Sequence, residues 1–123
     1  MTDNSAGNFV IVVYRSRPGK EQALLDLLAE HLPILRSQDL VTERDSLVLR
    51  SVDGTLLEIF EWKSREAVEK AHRNEVVKAM WGRFWDVCEC HNLASLDQAK
   101  DLFPHFQLVE LGKPELKGIP QAS

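Results

Sequence analysis

The chain has 123 residues, enough for one domain with its own core. Its 44% hydrophobic and 28% charged residues are those of a soluble globule and exclude a disordered chain. A formal net charge of -4, with no clustered basic stripe, argues against nucleic acid or an anionic membrane surface as the main partner.

The first eight residues, MTDNSAGN, lack the basic n-region and apolar h-region of a signal peptide and are read as a flexible tail. The longest apolar run, Phe9 to Tyr14, is far too short to span a bilayer, and a cytoplasmic protein is expected. FVIVVYR (Phe9 to Arg15) is β-branched and aromatic and predicts a first strand, apolar on both faces. After the Pro18-Gly19 turn, KEQALLDLLAEHLPILR places Leu24, Leu27, Leu28, His31 and Leu35 on one helical stripe, and Pro33 is expected to kink that helix or end its regular part.

Leu47 to Val52 and Thr55 to Trp62 flank Asp53-Gly54, a strong hairpin signal. A two-residue turn there pairs Val52 with Thr55 and Leu49 with Glu58. Leu47, Leu49, Glu58, Phe60 and Trp62 then share one face, and Val48, Arg50, Leu57, Ile59 and Glu61 the other. Neither face is cleanly polar, so the sheet calls for cover on both sides, and a homodimer through the sheet face is expected. Ser64 is suited to cap the next helix. Asn74 restarts or kinks the run, and Val77, Met80, Trp81, Phe84, Cys88 and His91 continue as a helical stripe. On a helix Cys88 and Cys90 point to nearly opposite sides, which speaks against a disulfide or a shared metal.

Ser95 to Lys100 carries a Ser-x-x-Gln capping box and predicts a short helix, Phe106 to Leu111 a last strand, and residues 112–123 a Gly/Pro-punctuated tail. The order is that of a ferredoxin-like split β-α-β domain over residues 9–111, α+β in class, with four antiparallel strands and helices on one face.

Three short motifs point further: Pro18-Gly19-Lys20 after strand one, Phe60-Glu61-Trp62-Lys63-Ser64 at the end of strand three, and Glu66-Ala67 with Ala71-His72 in the following helix. Together they resemble the antibiotic biosynthesis monooxygenase (ABM-like) family over roughly residues 9–111. The resemblance implies a dimeric α+β barrel with a pocket between sheet and helices in each subunit. It also implies oxidation of quinols or polyketide-like aromatics by molecular oxygen without a cofactor or metal. One motif departs from the family: its histidine follows the tryptophan by nine residues, whereas His72 follows Trp62 by ten, which on a helix is a rotation of about 100° and places Ala71 in the histidine's position. A heme-degrading branch takes an asparagine on strand one and a histidine on the second helix. Tyr14 and Trp81 stand at those positions here, so heme breakdown is not expected.

The candidate residues follow from both lines. Glu58, a carboxylate between Leu56 and Phe60, either pairs with a cation or water or serves as a general base; His72 is the other candidate base, since imidazole carries protons near neutrality. Tyr14 is a candidate donor to a developing oxyanion. Trp62, Phe60 and Trp81 are candidate stacking walls for a flat aromatic substrate, with His31 beside them. The alternative is a non-enzymatic dimeric barrel that binds a small apolar metabolite or serves as a structural module. No HExxH, GxGxxG, P-loop or GxSxG pattern occurs, which removes the common zincin, nucleotide and hydrolase readings.

Overall fold

The computed structural model describes residues 7–112, and both the first six residues and 113–123, most of the segment read as a C-terminal tail, lie outside them. Within this range the chain runs β1 (Asn8–Ser16), α1 (Glu21–Ser37), β2 (Leu47–Arg50), β3 (Leu56–Trp62), α2 (Arg65–Ala71), α3 (Glu75–Val87), β4 (Cys88–His91) and β5 (Gln107–Leu108). Two 3-10 turns, Leu93–Ser95 and Asp97–Lys100, join β4 to β5. The strands form one antiparallel open sheet in the order β4-β1-β3-β2-β5. It is an α+β fold of three helices and five strands, one strand more than the four expected, and is compatible with a ferredoxin-like arrangement.

The additional strand is the CECH segment. Cys88 to His91 does not extend the helix: Asn74 caps α3 through its Oδ1, which accepts from Val77 N at 3.0 Å, and α3 ends at Val87. The chain then pairs with the free edge of β1, Tyr14 opposite Cys90. A stripe at 3.6-residue spacing and a four-residue strand cannot be told apart here by periodicity, and the unpaired edge of β1 decides. On a strand, residues two apart share a face, so Cys88 and Cys90 lie on the same side, contrary to the helical expectation. Both are free thiols.

The hairpin register is also corrected. Val48 faces Glu58, Leu49 faces Leu57 and Arg50 faces Leu56, one residue away from the predicted pairing. The loop holds three residues rather than two: Ser51 N donates to Thr55 O at 2.8 Å and Gly54 takes φ 91°, a conformation suited to glycine. Val48 and Arg50 therefore share the helix-facing side with Glu58, Phe60 and Trp62, and Arg50 reaches Glu21 at 2.8 Å rather than projecting from the far face. Asp53 organises this loop, its Oδ1 accepting from Ser51 Oγ and from Thr55 N. Those hydrogen bonds, the Ser51 bond foremost, hold the Asp53 carboxyl down at about 2 against an ordinary 3.8. A depressed folded-state value adds stability above the unfolded value and loses it as pH falls through the folded one. Asp53→Asn is expected to lower stability by under about 1 kcal/mol, since the loop tip is screened by solvent. In urea titrations the gap from the wild type should be widest above pH 5 and close near pH 2.

Pro33 does not end α1, which continues to Ser37. Ser64 caps α2 as expected, accepting from Ala67 N at 3.1 Å. The Ser95 capping box does not form; the segment makes 3-10 turns, and Ser95 Oγ instead donates to Asn92 O. The last strand is confined to Gln107–Leu108, with Val109 N donating to Val48 O beyond it.

The main core lies between the sheet and helices α1 and α3, built on Leu24, Leu28, Leu35, Phe60, Met80 and Phe84. On the opposite face, Leu96 packs over Val13 and Leu57. Among the described residues Leu49 and Phe106 pack beside that cluster, while Phe9, Ile11 and Leu47 on the same face are exposed by 56%, 45% and 45%. At its edge Gly7 lies so close to β3 that a Cβ would stand 2.4 Å from Trp62 O, and Gly7 N donates to Glu61. The strand β1 starts at Asn8, inside the segment read as a tail. The Arg44 guanidinium, hydrogen-bonded to Glu61 at 2.9 Å, holds that carboxyl below its usual range. No helix among the described residues is long and apolar enough to cross a membrane.

Candidate functional site

The even-numbered residues of β1 and β3 face the helices, which carries Val10, Val12 and Tyr14 from one strand and Glu58, Phe60 and Trp62 from the other to the same side. Between this side and helices α1, α2 and α3 lies a cavity of about 290 Å³. Trp62, Phe60, Trp81, Tyr14, His31 and His72 all line it, so six of the seven candidates reach one place. Glu58 stands directly behind the wall, fully buried and bonded to two of the lining residues.

That arrangement is a connected polar chain in an apolar setting. The Tyr14 hydroxyl donates to Glu58 Oε1 at 2.8 Å, and His31 Nδ1 lies 2.8 Å from the same oxygen. On its other side, Trp81 Nε1 donates to His31 Nε2 at 3.3 Å. An indole N–H can only donate, so Nε2 accepts and the imidazole proton sits on Nδ1, where it donates to Glu58. One assignment thus satisfies every donor: Trp81 to His31, His31 to Glu58, and Tyr14 to Glu58. The imidazole is also fixed sterically, its plane meeting the rings of Phe60 and Phe84 edge-on at centroid distances of 5.3 and 5.2 Å.

The geometry redistributes the expected roles. Tyr14 is committed to Glu58 instead of aiming its hydroxyl at the cavity. Burial, then the charge and hydrogen bond of Glu58, push its phenol well above the ordinary range, so it stays a donor. Glu58 Oε1 takes both Tyr14 and His31, while its Oε2 is buried with no partner among the described residues, and the residue acts on the cavity through those two neighbours. His31, expected beside the stacking walls, is the imidazole that lines the cavity, its Nδ1 held by Glu58 and its Nε2 accepting from Trp81. His72 is exposed at the end of α2, its Nδ1 2.8 Å from Val68 O, and it packs edge-on against Trp81 at 5.1 Å. The rotation noted in the sequence leaves it at the rim.

Trp62 is buried and tilted against Phe60 at 5.3 Å, forming the inner wall. Phe84 and Cys90 were not among the candidates yet both line the cavity, Phe84 stacking on Tyr14 at 5.6 Å. A period-two reading of CECH would have brought Cys90 to the face of Tyr14. Pairing with Cys88 on that face holds the Cys90 thiol below its usual range, with His31 contributing; the same pairing and burial push Cys88 up. Among the described residues no group of three or more His, Cys, Asp or Glu side chains is placed to hold a metal ion.

This arrangement can bind a flat apolar molecule, and it can take a proton from a hydroxyl brought to His31 Nε2. An imidazole whose second nitrogen is held by a carboxylate is oriented for that task and has its new charge stabilised. No protein-family profile, curated protein or solved structure matches the chain.

Proposed function

We propose that the protein is a cofactor-independent monooxygenase that oxidises a small electron-rich aromatic, of the quinol or polyketide-like kind, with molecular oxygen. The observation that carries this reading is His31, paired at 2.8 Å with buried Glu58 and lining an aromatic-walled cavity of about 290 Å³. The phenolic hydroxyl of the substrate gives its proton to His31 Nε2. The resulting oxyanion is electron-rich enough to pass an electron to oxygen, and recombination forms the new C–O bond. For a hydroxynaphthalene the balance is the C–OH and one ring C–H converted to two C=O groups of a quinone, their two hydrogens, one of them by way of His31, leaving with the second oxygen atom as water. Glu58 stabilises the imidazolium, Tyr14 holds Glu58, and Trp62 with Trp81 stacks the ring and excludes water.

Purified protein, without added cofactor or metal, is expected to consume oxygen with some member of a panel of quinols and hydroxynaphthalenes. Uptake should survive a chelator and fall in Trp62→Ala. Absence of uptake across the panel from a folded protein overturns the reading. A second reading, a binding module for an apolar metabolite, is supported by one observation: Tyr14, Glu58, His31 and Trp81 direct their hydrogen bonds to one another.

The proposal includes a homodimer of the dimeric α+β barrel kind, formed through the open sheet face. It is supported by the exposed Phe9, Ile11 and Leu47 on that face. Light scattering should return twice the 14.0 kDa chain mass. Ile11→Glu is expected to give a folded monomer; a dimer that survives this change places the interface elsewhere.

A further inference from the structure

We propose that Trp81 is a displaceable cap on His31, and that the cavity admits as its proper ligand an aromatic bearing a free hydroxyl, which takes the Nε2 lone pair from the indole. This rests on the cavity being a ligand site, as read above, but not on any oxidation. The three bonds of the polar chain are unequal. Tyr14 to Glu58 and His31 to Glu58 both measure 2.8 Å between buried partners, whereas Trp81 to His31 measures 3.3 Å and Trp81 is only half-buried. The indole bond is the longest of the three, 3.3 Å against 2.8 Å, and, with a neutral donor and a neutral acceptor, the weakest link.

Position supports the same conclusion. Trp81 stands between the buried His31 and the exposed His72, whose ring it meets edge-on at 5.1 Å, so the indole lies across the way in to the imidazole. A hydroxyl entering a cavity walled by Val10, Val12, Phe60 and Trp62 loses its bonds to water and needs an acceptor inside. The Tyr14 hydroxyl is engaged with Glu58 Oε1 at 2.8 Å, and Glu58, whose Oε2 has no partner among the described residues, stands behind the wall and not on it. His31 Nε2 is the side-chain acceptor at the wall whose present partner is weakly held. A hydroxyl donor restores that bond at a shorter distance and frees the indole to stack on the ligand ring. An aromatic of equal size without the proton leaves Trp81 in place.

The test excludes oxygen throughout, so that its failure and the failure of the oxygenase reading can be told apart. Protein labelled with nitrogen-15 is titrated anaerobically with 1-naphthol and, separately, with 1-methoxynaphthalene, following the indole N–H resonances. The Trp81 signal is identified by its loss in Trp81→Phe. 1-Naphthol is expected to shift that signal and to bind a few-fold more tightly than the ether, the difference between the hydrogen bond gained at Nε2 and the longer indole bond it replaces. Equal affinities with an unmoved Trp81 signal overturn the proposal, as does a failure of both compounds to bind. In His31→Leu the preference for the naphthol should collapse to near unity; a preference kept there would assign it to another acceptor. Should that variant not fold, Trp81→Phe decides alone: the preference persists or grows when the competing donor is gone, and its loss would mean that the indole, not the imidazole, reads the hydroxyl.

Discussion

Replacing Glu58 with alanine is expected to destabilise the fold by about 3–5 kcal/mol, the combined loss from two buried donors without an acceptor and the cavity left behind. Glu58 is fully buried at the centre of β3 and one of its oxygens takes both the Tyr14 hydroxyl and the His31 Nδ1–H. Without it, two buried donors lose their acceptor, each a loss of about 1–3 kcal/mol, and a cavity opens between Tyr14 and His31. Glu58→Gln is the control that separates the terms. A carboxamide oxygen can still accept both bonds, so its cost should be nearer 1 kcal/mol. Urea unfolding with unchanged m-values reads both effects as shifts of the midpoint. If Ala and Gln cost the same, the hydrogen bonds at that oxygen are not what secures the residue.

The second large effect is on turnover. Under the proposed reaction, His31→Gln is expected to reduce oxygen uptake by about 10²–10⁴-fold, the range that general-base catalysis contributes. Glutamine keeps a donor for Glu58 and a similar size, yet cannot take a proton, so a fold effect and a chemical one separate. His72→Ala, by contrast, should leave the rate within a few-fold, because His72 stands exposed at the rim with its Nδ1 against the end of α2. A substrate with a more acidic hydroxyl should lose less in His31→Gln, since it needs the base less. The opposite ranking of the two histidines would move the base to the rim and return His72 to the role its motif suggested.

These two residues also show how much was legible beforehand. Glu58 was conspicuous as a carboxylate between Leu56 and Phe60, and strand alternation placed it on one face with Phe60 and Trp62, though packing alone decided that this face looks at the helices. Its partners were not legible, because Tyr14 and His31 lie 44 and 27 residues away and no local pattern couples them. His31 was visible as a polar member of an apolar helical stripe, but on that evidence a wall residue and a base look alike.

The sequence by itself determined the local pieces. The caps at Ser64 and Asn74, the turn at Asp53-Gly54, the long amphipathic α1 and the alternation of β1 and β3 all follow from chemistry within a few residues. Tertiary structure alone decided the rest. The hairpin register moved by one because a three-residue loop with Gly54 at positive φ competes closely with a two-residue one, and packing selects between them. Cys88 to His91 became a strand because β1 had an unpaired edge, not because its residues prefer one. The Tyr14–Glu58–His31–Trp81 chain exists because two strands and two helices bring four polar groups together in an apolar interior. In that interior the Tyr14 hydroxyl, His31 Nδ1–H and Trp81 Nε1–H each find an acceptor within the protein, because a buried donor left without one is costly, while Glu58 Oε2 stays buried with no partner among the described residues.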